Sequence, residues 1–85
     1  MPSEPLHRLV VYSREYCSLC ETMVRALERV RADTPFILEV VDIEDNPELE
    51  ERFGKRVPVL LINGEEVCHY HLDLRVLSAY LTKIR

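Results

Sequence analysis

With 85 residues the chain is long enough for one domain spanning 1–85 and too short for two, and a chain of this size buries only about 60 to 65% of its unfolded surface. Its 47% apolar content is ordinary for a globular protein, while 31% charged residues and a net charge of −4 argue against a nucleic-acid surface and against an acidic partner. No apolar run approaches the roughly 18 residues that a membrane span requires.

The N-terminal stretch, residues 1–7, reads as a frayed lead-in, and with Glu4, Pro2 and Pro5 ahead of a run of only four apolar residues it is unlike a secretory signal. Arg8 to Tyr12 is a short apolar run with two valines and predicts a buried strand. From Cys17 the apolar positions Cys20, Met23, Val24, Leu27 and Val30 recur at helical spacing, with Glu21, Arg25, Glu28 and Arg29 on the opposite face. Asp33-Thr34-Pro35 ends that helix. Phe36 to Ile43, almost continuously apolar and interrupted by Glu39, predicts a second strand parallel to the first. Asn46-Pro47-Glu48 supplies a cap, a first-turn proline and an acid to a two-turn helix carrying Leu49 and Phe53 and stopped by Gly54. Val57 to Ile62 and Glu65 to Cys68 predict two strands around Asn63-Gly64, the dipeptide that best fits a type I′ hairpin. Asp73 caps a last helix whose Leu74, Leu77, Leu81 and Ile84 share a stripe, with Val76 and Tyr80 beside it. The expected order is βαβαββα: an α/β fold with helices on both faces of a four-stranded mixed sheet, given a right-handed βαβ crossover.

The stretch that carries chemistry is Tyr16-Cys17-Ser18-Leu19-Cys20, where the first strand gives way to the first helix. A helix start offers unpaired backbone N–H groups and the positive end of a dipole, and both favour a thiolate. A thiol so placed falls from about 8.5 into the range of roughly 3.5 to 7.5, which makes Cys17 the attacking sulfur. Cys20, one turn further on, faces the same side and can resolve a mixed disulfide. The edge of the sheet at which this pair lies is where open α/β folds carry their chemistry. Three cysteines cannot all pair, and a CxxC couple with one loose thiol suits a reducing cytoplasm. The competing reading of CxxC is half a structural zinc site completed from Cys68, His69 and His71; since neighbours on a strand face opposite ways, only one of the first two could join His71. Cys68 itself reads either as a small buried apolar residue or as a third redox thiol.

This element order, the CxxC at the first strand-to-helix junction, and Val57-Pro58 ahead of Asn63-Gly64 resemble the glutaredoxin-like branch of the thioredoxin superfamily over Leu9 to Leu81. The resemblance implies a thioredoxin-like fold and a thiol–disulfide oxidoreductase with Cys17 as nucleophile and Cys20 as resolver. It implies a cis Pro58 facing the disulfide, and Val57, Pro58, Tyr16 and Arg14 around the substrate; Arg14 matches a basic residue often found three before the first cysteine. Two departures stand out. Ser18-Leu19 replaces the common Pro-Tyr, which changes the expected potential, and Cys68-His69 stands where a Gly-Gly pair admits glutathione.

The implied partners are a disulfide-containing protein or small thiol, with a thioredoxin or glutathione system as reductant. No nucleic acid, membrane, metal or cofactor is expected. Two other functions fit the same residues: a redox-sensing interaction module without turnover, and an iron–sulfur carrier of the kind some glutaredoxins form between two subunits, which needs four thiolate-like ligands.

Overall fold

The computed structural model describes residues 6–82. Most of the expected lead-in, and Ile84 of the last helical stripe, lie outside these residues. Seven elements follow one another: β1 (Arg8–Ser13), α1 (Ser18–Asp33), β2 (Ile37–Asp42), α2 (Pro47–Phe53), β3 (Val59–Ile62), β4 (Glu65–His69) and α3 (Leu74–Leu81). The strands form one mixed sheet in the order β2-β1-β3-β4. β1 runs parallel to β2, with Arg8 opposite Ile37 and Ser13 opposite Asp42, and antiparallel to β3, with Val11 opposite Leu60. This is the thioredoxin-like α/β fold.

Local chemistry accounts for where the elements start and stop. Asn63 at φ 52° and Gly64 at φ 90° adopt the two left-handed conformations that a type I′ turn demands. The turn is also tied to the sheet, because Asn63 Oδ1 accepts the Arg8 N–H at 2.9 Å. The Asn46 side chain accepts the Leu49 N–H ahead of Pro47, and Asp73 Oδ1 accepts the N–H groups of Arg75 and Val76 at 3.1 and 3.2 Å. Each cap satisfies donors that an uncapped helix leaves unpaired. At the other end of α1 the Thr34 N–H reaches the Val30 carbonyl, and Pro35 then prevents continuation.

The alternation along the central strands divides the core between the two faces of the sheet. Leu9 and Val11 of β1 and their partners Ile62 and Leu60 of β3 pack with Met23 and Leu27 of α1, Phe36, and Leu77 of α3 in one buried cluster. Tyr12, on the opposite face of β1, stacks on Phe53 of α2 with ring centroids 4.7 Å apart. Helices therefore cover both faces.

β2 differs from the sequence expectation in detail. It forms the sheet's edge and is partly open, with Ile37 41% and Val40 48% exposed. Phe36 and Ile43, the buried ends of the apolar run, flank the strand instead of extending it. β3 begins at Val59, one residue after Pro58, which has no N–H to give to a ladder. Among the described residues no helix is long and apolar enough to cross a membrane.

Candidate active site

β1 delivers the chain to the site through Arg14, Glu15 and Tyr16, and Tyr16 turns at φ 58° into the start of α1. Cys17 is the N-cap of that helix, in extended conformation, and its Sγ accepts the backbone N–H of Cys20 at 3.1 Å. A side chain that usually caps with oxygen here caps with sulfur. The same bond and the positive end of a 16-residue helix stabilise negative charge on that sulfur. Cys17 is half-buried, whereas Cys20, on the core side of α1, is 4% exposed. The two form a disulfide with their Cα atoms 5.2 Å apart, within the span such bonds require.

Pro58 is fully buried and the Val57–Pro58 peptide bond is cis, the isomer implied by the resemblance. The flanking loop is held by Tyr70, whose N–H donates to the Pro58 carbonyl at 2.8 Å and whose hydroxyl donates to the Lys55 carbonyl at 2.7 Å. Tyr70 itself sits at φ 63° just beyond β4. No sequence pattern flagged it, because left-handed conformation in a tyrosine has no compositional signature. The nearest signal was negative: no glycine stands between Gly64 and the last helix.

Arg14 lies between two neighbours. Its guanidinium donates to Glu50 Oε1 at 3.0 Å and to the Gly54 carbonyl at 2.9 Å, so α2 takes its polar contacts. Its side chain also shares a hollow of about 300 Å³ with Cys20, Val24, Arg25 and Val40. Tyr16 is 96% exposed beside Cys17, and Val57 is half-buried beside Pro58.

Cys68 faces inward from β4 opposite Leu60 and packs against the main core. Burial pushes its thiol above the ordinary range; a backbone hydrogen bond at Asp73 works against that shift, and the charges of Asp73 and Glu66 reinforce it. His69 and His71 are exposed, the His69 ring lying edge-on to Tyr70 at 4.8 Å. Among the described residues no three His, Cys, Asp or Glu side chains gather as a metal-binding group.

The Glutaredoxin-like domain (DUF836) family matches residues 8–82 of the chain. The chain belongs to this family. It is similar to a Nitrosomonas europaea protein whose solution structure shares 40% identity and a TM-score of 0.86, covering 96% of this chain and 99% of that one. A Xanthomonas protein, X. campestris XcR50, is 35% identical in its X-ray structure at a TM-score of 0.73, covering 91% and 99% of the two chains. An uncharacterized Mycobacterium tuberculosis protein is 26% identical over 76 residues, 84% of this chain and 78% of its own. Trichomonas vaginalis thioredoxin, 17% identical with a TM-score of 0.68 over 95% of this chain and 81% of its own, shares the fold. The glutaredoxin-like chain thus carries a CxxC couple on a thioredoxin fold, the framework of redox chemistry.

Proposed function

We propose that this glutaredoxin-like chain is a thiol–disulfide oxidoreductase in which Cys17 attacks and Cys20 resolves, the whole chain acting as one domain. The observation that carries this reading is the Cys17 sulfur at the N-cap of α1, receiving the Cys20 N–H while Cys20 is buried behind it. In the reduced protein the Cys17 thiolate attacks one sulfur of a substrate disulfide. The substrate S–S bond breaks, a mixed disulfide forms, and the other substrate sulfur leaves as a thiolate. Cys20, deprotonated, then attacks Cys17 Sγ; the second substrate thiolate leaves and the Cys17–Cys20 disulfide closes. Two electrons pass to the substrate, whose thiolates take protons from solvent. A dithiol such as a reduced thioredoxin returns two electrons and completes the cycle, and the reducing cytoplasm is the compartment that would sustain it.

Val57, cis Pro58, Tyr16 and Arg14 are proposed as the substrate surroundings, on the strength of their placement about the strand-to-helix junction and the β3 entry. Turnover decides the matter. A small disulfide and a disulfide-bonded protein, each supplied with thioredoxin, its reductase and a nicotinamide reductant, should be reduced catalytically by the chain. A single stoichiometric oxidation of Cys17 and Cys20 with no turnover under any reductant would instead leave a redox-sensing module.

A further inference from the structure

Ser13 closes β1 on the α1 side of the sheet, the face that also carries Leu9 and Val11. Among the described residues it is the one buried polar side chain, 9% exposed, and its hydroxyl has no hydrogen-bond partner there. A hydroxyl so placed is costly to bury without a use. Ser13 lines the hollow of about 300 Å³ that reaches Cys20, walled by Val24 of α1 and by Val40 on the edge strand, where it meets solvent. The charged groups around it are Arg14 just beyond β1, Glu21 and Arg25 of α1, and Asp42 of β2, which stands opposite Ser13 in the ladder. Two are cations and two are anions, and Arg25 faces Glu21 at 3.7 Å. Their charges offset, so the neutral hydroxyl is the group left to tell one state of the Cys20 sulfur from another.

Resolution demands of that sulfur what its surroundings oppose, since Cys20 is 4% exposed and must become a thiolate to release a substrate. In the Cys17–Cys20 disulfide the sulfur carries no charge and needs no donor, so the hydroxyl is spare in this state. We propose that Ser13 is a positioning residue for the resolving step, its hydroxyl donating a hydrogen bond to the Cys20 thiolate from the hollow behind α1. The proposal rests on the thiol–disulfide reading above and deepens it. The Cys20 proton leaves along the hollow to solvent, and the Ser13 O–H turns to the bared sulfur. Cys20 Sγ then attacks Cys17 Sγ; the Cys17–substrate bond breaks, and its electron pair departs on the substrate thiolate. A donor to the charged form lowers the pH at which that form appears. It also makes the thiolate a weaker nucleophile, because nucleophilicity falls with basicity at a Brønsted slope of about 0.4 to 0.5. Losing the donor should thus slow resolution where Cys20 is mostly protonated and speed it where Cys20 is fully ionised.

The test uses the full pre-reduced chain in a Cys68→Ala background, mixed with an aromatic disulfide that releases one coloured thiolate on attack by Cys17 and a second on resolution by Cys20. Stopped-flow absorbance separates the two phases. Ser13→Ala should leave the first phase within about twofold. Its second phase should be about threefold slower well below the Cys20 midpoint and about threefold faster on the alkaline plateau, the outcome of Cys20 ionising about one pH unit higher. The carbon-13 shift of the Cys20 Cβ, followed against pH in a Cys17→Ser background, should report the same displacement. The melting temperature should not fall, since the group removed has no protein partner. Ser13→Thr keeps the hydroxyl and should behave as the unmodified chain, while Ser13→Val, of the same shape, should behave as Ser13→Ala; this pair carries the test if the alanine variant does not fold. A Cys20 midpoint unmoved by Ser13→Ala, two phases slowed alike, or equal behaviour of the threonine and valine variants overturns the proposal and leaves the redox reading intact. No coloured thiolate released by the unmodified chain overturns the redox reading itself and this inference with it.

Discussion

Cys17 Sγ and the backbone N–H of Cys20 are 3.1 Å apart in the disulfide-bonded couple, so the helix start aims a donor at the first sulfur. That donor makes the two sulfurs unequal. Negative charge on Cys17 is met by a helix-terminal donor, whereas Cys20, 4% exposed, would have to ionise inside the core. Iodoacetamide added to the reduced protein at mildly acidic pH should therefore label Cys17 well ahead of Cys20, as followed by peptide mass mapping. Faster labelling of Cys20 would reverse the proposed roles.

The same asymmetry predicts opposite consequences for the two serine variants. Cys17→Ser should abolish exchange, because no other described cysteine combines exposure with a helix start. Cys20→Ser should still attack and then stall, leaving a mixed disulfide stable enough to isolate on non-reducing gels. A Cys17→Ser protein reducing a small disulfide at the normal rate would implicate Cys68.

The element order and the caps were legible because they depend on local chemistry. Asn63-Gly64, Asp73 and Asn46 each solve a backbone problem that their own side chains or conformations define. The redox couple was legible for the same reason, since Cys17 acts on the N–H three residues away. What escaped was long-range. An uninterrupted apolar run reads alike for a central and an edge strand, so the exposure of Ile37 and Val40 follows only from the strand order. Arg14's contacts with Glu50 and Gly54, and Tyr70's with Lys55 and Pro58, join residues separated by 12 to 40 positions. No periodicity reports such pairs.

Arg14 offers a test of how far its charge serves the sulfur. With its polar contacts on α2 and both partners partly exposed, its loss should cost about 1 kcal/mol or less, mainly through the Gly54 carbonyl bond. Arg14→Ala should lower the melting temperature by several degrees, given about 4 to 8 °C per kcal/mol in a chain of this size. The rate of Cys17 alkylation should change less than about threefold, a small part of the effect expected when a directly paired charge is removed. Slower alkylation by tenfold at an unchanged melting temperature would place the guanidinium's role at the thiolate instead.

Cys68 should behave as a packing residue. Its thiol is raised by burial, so at neutral pH it stays protonated, and the thiolate appears only as pH climbs beyond the range of a free cysteine. In a Cys17→Ser/Cys20→Ser background, labelling of Cys68 should lag that of free cysteine at every pH up to the alkaline limit of folding. Cys68→Ala in the native background should keep turnover within about twofold and cost about 1 kcal/mol of stability for the lost contacts. Labelling of Cys68 as fast as free cysteine at neutral pH would restore it as a candidate third redox thiol.

Glutathione is the reductant the chain should use least well. The resemblance places a Gly-Gly pair where Cys68 and His69 stand, and glycine there admits the tripeptide's backbone closely and permits positive φ. Here both positions belong to β4, Cys68 is packed against the core, and the left-handed residue is Tyr70, one place further on. His69 carries a Cβ where the resemblance has glycine, and its ring lies edge-on to that of Tyr70. Losing two hydrogen bonds to a charged ligand, at about 1.5 to 3 kcal/mol each, weakens binding by two orders of magnitude or more. Glutathione should accordingly reduce the Cys17–Cys20 disulfide far more slowly than a thioredoxin system or a dithiol does. Cys68→Gly with His69→Gly should recover part of the rate, and His69→Gly alone, which spares the core contact of Cys68, should recover some of it at a smaller cost in stability than the double variant. Rapid turnover of a glutathione mixed disulfide by the unmodified chain would show that the tripeptide binds by contacts other than the missing glycine pair.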